Sequence, residues 1–131
     1  MAAPNIVNVA TINAKTDMFA LATTGAITIL SNASNSGIVM QVNSIYVANV
    51  DGTANADISL DIHNGVASVG GSSSAAGVGF ALASTVVVPA DGSLVVLDKN
   101  SPVFLEEAMS ISAAPSAADD LEVVISYQEI S

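Results

Sequence analysis

The sequence predicts an all-β fold, an antiparallel β-sandwich of about eight to ten strands with jelly-roll-like connections. Three observations predict it. Apolar and polar residues alternate with a period of two through most of the chain, which is the signature of half-buried antiparallel strands. Turn signals recur at short spacing: Asp51-Gly52, Asn64-Gly65, Pro89-Ala90-Asp91-Gly92 and Asp98-Lys99-Asn100-Ser101-Pro102. No window of helical length carries a 3.6-residue apolar period with caps. At 131 residues the whole chain, 1–131, reads as one domain, long enough to bury a core of its own.

Taken in order, Ile6 to Ile12, Met18 to Thr23 and Ala26 to Leu30 read as short strands, followed by a plain loop at 32–37. In segment 38–50, Met40, Val42, Tyr46, Ala48 and Val50 alternate with polar residues, and Ile45 and Val47 make its end apolar on both faces. In segment 55–63, Ile58, Leu60 and Ile62 face one way and Asp57, Ser59, Asp61 and His63 the other. With Asp51-Gly52 between them, these two segments are expected to form a hairpin. Gly70 to Ser74 reads as a flexible loop, and the Ala-rich piece from Ser74 to Ser84 has room for one helical turn, its glycines discouraging more. Phe80, Leu82, Val86 and Val88 mark a long strand, and Leu94 to Leu97 a short, wholly apolar one. Val103 to Leu105, Met109 to Ala113 and a final strand with Leu121, Val123, Ile125 and Tyr127 on one side complete the set. The expected core is Val42, Tyr46, Ile58, Leu60, Ile62, Val86, Val88, Val96, Phe104, Ile111, Val123 and Ile125.

Composition narrows the function classes. There is no cysteine, which excludes disulfides, thiolate nucleophiles and Cys-based zinc sites. Lys15 and Lys99 are the only basic residues apart from His63, against twelve acidic ones, for a formal charge of −10. Nucleic acids and anionic membranes are bound chiefly through Lys and Arg, so neither is an expected partner. The longest apolar region, Val78 to Ala90, contains Ser84, Thr85 and Pro89 and falls short of the roughly 20 residues of a spanning helix. The N-terminus lacks the basic and apolar regions of a secretory signal, so the chain is expected to be made in a cytoplasm and not exported by the usual route. Only 11% of residues are charged while 51% are hydrophobic, and mean hydropathy is +0.62. A soluble surface usually carries more charge than that. The chain is therefore expected to pack against copies of itself or another protein.

The stretch ADISLDIHNG holds the only histidine and the one plausible constellation for chemistry. Along a strand, Asp61 and His63 lie about 6.6 Å apart, near enough to share a metal, whereas Asp57 lies about 13 Å from Asp61. Zinc or iron needs further ligands, and no second histidine exists. Calcium is less demanding, yet the D-x-[DN]-x-[DN]-G loop pattern is absent. Asp119, Asp120 and Glu122 are explained as well by a charged turn. A Ser-His-Asp arrangement would have to use His63 as base, but there is no G-x-S-x-G elbow. Glu106 and Glu107, adjacent in sequence, would face opposite ways in a strand and cannot act as a glycosidase pair. The expectation is no catalytic residue, no metal and no cofactor, with His63 at the solvent or subunit face of a strand end.

Three stretches carry a resemblance: MAAPNIVNVATI at the start, PADGSLVVLDKNSPVFLEE at 89–107, and LEVVISYQEIS at the end. They resemble a family of small virion structural proteins of marine tailed bacteriophages, including those of cyanobacteria. In that family a glycine-containing turn follows the paired glutamates, where this chain has Ala108-Met109. The resemblance implies a place on a particle assembled in the host cytoplasm and no active site. Because the chain is acidic, the exterior is favoured, as a head decoration (cement) protein contacting the major capsid protein. The alternative is a tail-tip or fibre domain binding a host-surface glycan. Ile45 and Val47 opposite Tyr46, and Val95 and Leu97 opposite Leu94 and Val96, are the expected oligomer or capsid interface. Contiguous apolar patches of that kind mark interfaces, and capsid symmetry suggests a homotrimer.

Overall fold

A computed structural model describes residues 8–131, apart from the side chain of Ala75. Among them it contains nine strands in two antiparallel sheets and a single turn of 3-10 helix. The strands are β1 (Ile12–Ala20), β2 (Ile27–Asn32), β3 (Val39–Asn49), β4 (Ala56–His63), β5 (Gly79–Val88), β6 (Ser93–Leu97), β7 (Val103–Leu105), β8 (Met109–Pro115) and β9 (Leu121–Ile130). The 3-10 turn is Ser73–Ala75, beginning one residue ahead of the Ala-rich piece. One sheet runs β1-β9-β3-β6 with β7 also on β3, and the other β2-β8-β4-β5. The pairs β1·β9, β2·β8, β3·β6/β7 and β4·β5 are nested. A long hairpin rolled up so that its arms fall alternately into two sheets gives that nesting, and this is the jelly roll.

The expected hairpin of 38–50 with 55–63 does not form. β3 is paired on both sides, by β9 and by β6 and β7, so it has no edge to offer β4. Instead the chain crosses from one sheet to the other at 50–55. The side chain of buried Asn49 fixes the crossing by donating to the carbonyls of Ala54 and Val88, both at 3.0 Å. Thr53 donates its hydroxyl and its N–H to Asp51, which holds that carboxyl below the usual carboxylate range. At the front, Met18 to Thr23 is not a strand of its own. β1 is continuous through Ala20, and residues 21–26 turn. Of the strand expected at Ile6 to Ile12, residues 6 and 7 lie outside the described residues and 8–11 are irregular.

The core lies between the sheets. Val42, Ile58, Leu60, Val88, Ile111, Val123 and Ile125 are buried as expected, and Ile62 and Val96 are partly buried against them. Tyr46, Val86 and Phe104 are not core residues; all three are exposed. The errors at Tyr46 and Phe104 are phase errors, and that at Val86 is one of edge exposure. The register of β3 against β9 shifts between Val42 and Ser44, which leaves Asn43 as the extra residue of a bulge. Val42 and Ile45 therefore both face inward, and Tyr46 faces out. β5 slips against β4 near Thr85, whose φ is 48° and whose N–H goes to Ser59 Oγ at 3.0 Å. Val86, beyond the slip, opposes buried Ile58 and is in phase with Val88, so it is exposed because β5 is the sheet's edge. In three-residue β7 the inward positions are Val103 and Leu105, opposite Val42 and Met40, so Phe104 points away. The turn after the paired glutamates is tight without its glycine, because Ala108 itself takes φ 64° and donates its N–H to Asn32 O.

Candidate interaction face and the His63 cluster

His63 ends β4 on the same side as Asp61, pointing away from the core. The structure corrects the expectation that it meets solvent, since only 8% of it is exposed. The cover is the segment 64–78, which includes the stretch from Gly70 to Ser74 expected as a flexible loop. Asn64 N donates to Val78 O and Val78 N to Asn64 Oδ1, closing the neck of a loop in the Ω class. The loop then crosses the outer face of the sheet and pairs with β2: Thr28 N donates to Gly71 O, Gly70 N to Thr28 O and Ser73 N to Ala26 O. Two glycines allow the close fit. A Cβ on Gly65 would stand 2.5 Å from the Ala76 carbonyl, and one on Gly79 would stand 2.9 Å from His63 Cε1.

Beneath this roof lies a small polar cluster. His63 Nε2 and Ser112 Oγ are 2.8 Å apart, and Ser110 Oγ donates to Gly65 O at 2.6 Å. His63 Nδ1 and Thr28 Oγ1 have no hydrogen-bond partner. A serine nucleophile needs its base oriented through the second ring nitrogen and an open approach for substrate. Here Nδ1 is not held by Asp61, and Ser112 is 3% exposed. Among the described residues no three His, Asp or Glu side chains gather as a metal-holding group. The cluster holds the loop down on the sheet.

The other sheet presents a different outer face. Cross-strand partners on β1, β9, β3 and β6 put Met18 opposite Val124, Val124 opposite Tyr46 and Tyr46 opposite Val95. Directly opposed residues share a face, so the four side chains form one row across the sheet. Met18 is 75% exposed, Val95 51% and Tyr46 45%. The row on one side is Thr16, Ser126 and Ser44, with Thr16 and Ser126 hydroxyls 3.0 Å apart. The row on the other is Ala20, Glu122, Ala48 and Ser93. Glu122 is the one charge in these three rows. Between β1 and β9 the face dips into a shallow depression lined by Met18, Phe19, Ala20, Glu122, Val123 and Val124. Acidic groups gather instead at one end of the sandwich, where Asp51, Asp91, Asp119 and Asp120 lie in adjoining turns.

Of the four expected interface residues, only Val95 lies on this face. Ile45, Val47 and Leu97 are buried in the chain's own core, because the bulges in β3 and β6 turn them inward. Met18, Tyr46 and Val124 were missed. The signal was present in Asn43-Ser44, two adjacent polar residues in an otherwise alternating strand, where the phase had to slip. Among the described residues no helix is long and apolar enough to cross a membrane. Compared with known proteins, the chain matches no family model, no curated sequence and no solved structure.

Proposed function

We propose that this chain is a structural protein of a tailed-phage particle, docked on the outside of the head as a decoration (cement) protein. The observation that carries the reading is the open apolar row Met18–Val124–Tyr46–Val95 on a sheet face almost free of charge. Exposed patches rimmed by small polar residues are the usual mark of a protein-binding surface. The resemblance of the chain's ends to phage virion proteins, and a net charge of −10 that disfavours contact with packaged DNA, support the same reading.

In this role the apolar row packs against major capsid subunits where they meet. Burying it adds contact area across their seams at about 25 cal/mol per Å² of apolar surface removed from water. Internal pressure from packaged DNA then has to break those contacts as well as the capsid's own. The test is the stoichiometry of purified particles, by cryo-EM or gel densitometry. A copy number comparable with that of the major capsid protein supports decoration. A copy number typical of a tail component overturns it and favours a tail-tip or fibre domain.

A further inference from the structure

β1 forms one edge of its sheet. Among the described residues only β9 pairs with it, in an unbroken register from Ile12↔Ile130 to Ala20↔Glu122. The bonds flanking that ladder fix which backbone groups of β1 point away from β9. Thr11 and Ser131 exchange both bonds, and Leu21 N donates to Leu121 O. Both pairs belong to the same register, and antiparallel pairs alternate between bonded and non-bonded. The odd residues of β1 therefore direct their N–H and C=O groups to β9. Ile12, Ala14, Thr16, Met18 and Ala20 direct theirs at the open edge.

We infer that this edge pairs with the same edge of a second copy, antiparallel about a twofold axis through Thr16. In that register Thr16 opposes Thr16, Ala14 opposes Met18 and Ile12 opposes Ala20. Every outward-directed backbone group of the strand then has a partner, and each large exposed side chain meets a small one. Charge selects this register over its neighbours. Lys15 stands opposite the second copy's Asp17, twice by symmetry. A shift one way stacks Lys15 on Lys15, and a shift the other way stacks Asp17 on Asp17, both unfavourable directly across a ladder. Lys15 already meets Glu129 Oε1 at 2.9 Å and Asp17 Oδ2 accepts from Tyr127. An ammonium has three donors and a carboxylate several acceptor sites, so both can take a further partner. Straight edges template such pairing, and the charges that can guard an edge are matched across this twofold.

The axis stands perpendicular to the sheet, so the two outer faces join into one continuous surface. This twofold pair is independent of the phage reading and differs from the trimer that capsid symmetry alone suggests. Equilibrium sedimentation of the full chain up to the high micromolar range is expected to show a dimer; a monomer throughout, or a trimer, overturns the inference. Thr16→Pro removes an N–H that β9 does not use, a position where edge strands tolerate proline. It is expected to keep the melting temperature near that of the parent and to weaken the dimer by more than about tenfold. A dimer unchanged by it overturns the inference. The chain has no cysteine, so single cysteines report the register cleanly. Under mild oxidation Thr16→Cys is expected to cross-link to dimer and Asn13→Cys is not; the opposite result overturns the register.

Discussion

The two sheets use the same strand chemistry and leave opposite surfaces behind. The β2-β8-β4-β5 sheet is closed on its outer face by the loop 64–78, and its long edge, β5, slips twice against β4. The β1-β9-β3-β6 sheet leaves the row from Met18 to Val95 open on its outer face, while Val39 and Ile130 nearer one end are buried, and its long edge, β1, holds one register throughout. Bulges twist an edge and interrupt its free backbone groups, which is how soluble β proteins avoid adding strands from neighbours. One sheet is thus protected on face and edge, while the other offers both. A partner that exploits this asymmetry finds one receptive side.

The largest effect that tests this contrast comes from charging the inner and outer faces of the open sheet. Val47→Lys places an unpaired ammonium among buried side chains and is expected to destabilise the fold by about 4 kcal/mol or more. Val95→Lys, on the exposed row, is expected to stay within about 0.5 kcal/mol of the parent in chemical denaturation while abolishing attachment to particles. If both variants unfold alike, the outer face is not free.

Removing the roof would make the closed sheet resemble the open one. Gly65→Ala drives a methyl into the Ala76 backbone and is expected to cost about 1–3 kcal/mol. Hydrogen exchange should rise across 64–78 and at Thr28, with the strands of the open sheet unchanged. Uniform exchange across the molecule would show that the loop is not a separate cover.

The Tyr127–Asp17 hydrogen bond, at 2.9 Å, ties β9 to the open edge. Burial first, and then this bond and the nearby carboxylates, push the Tyr127 hydroxyl well above the usual phenol range. The folded state thus favours neutral Tyr127. Its contribution is full below about pH 10, the unfolded value, and is lost as pH rises through the folded value. Tyr127→Phe is expected to cost about 0.5–1.5 kcal/mol at neutral pH and to flatten the fall in stability above pH of about 10. A melting-temperature series against pH checks both parts.

The smallest effect concerns the bulged edge. Thr85 is β-branched at φ 48°, a conformation that glycine adopts without steric cost. Thr85→Gly is expected to leave β5 bulged and to raise stability by about 0.5–1 kcal/mol, read from the denaturation midpoint. A loss of stability would mean that the Thr85 side chain, not its backbone, maintains the slip.

The sequence by itself determined the fold class, the strands from 38 onward and most of the inward positions of β4, β8 and β9. In those strands an unbroken period of two meets one buried face, and a shift by one residue would expose every apolar side chain at once. The turn residues fixed where strands stop, but not which sheet comes next, so 50–55 read as a hairpin when it is a crossing. Tertiary structure decided everything that depends on phase after a bulge: Ile45, Val47 and Leu97 inward and Tyr46 outward. A bulge arises from the pairing of two distant strands, and a single strand's pattern carries only a faint trace of it, such as Asn43-Ser44. The same holds for His63. Its polar side of β4 looked wet because nothing local announces that a Gly- and Ser-rich loop will fold back over it, held by β2 residues more than thirty positions upstream.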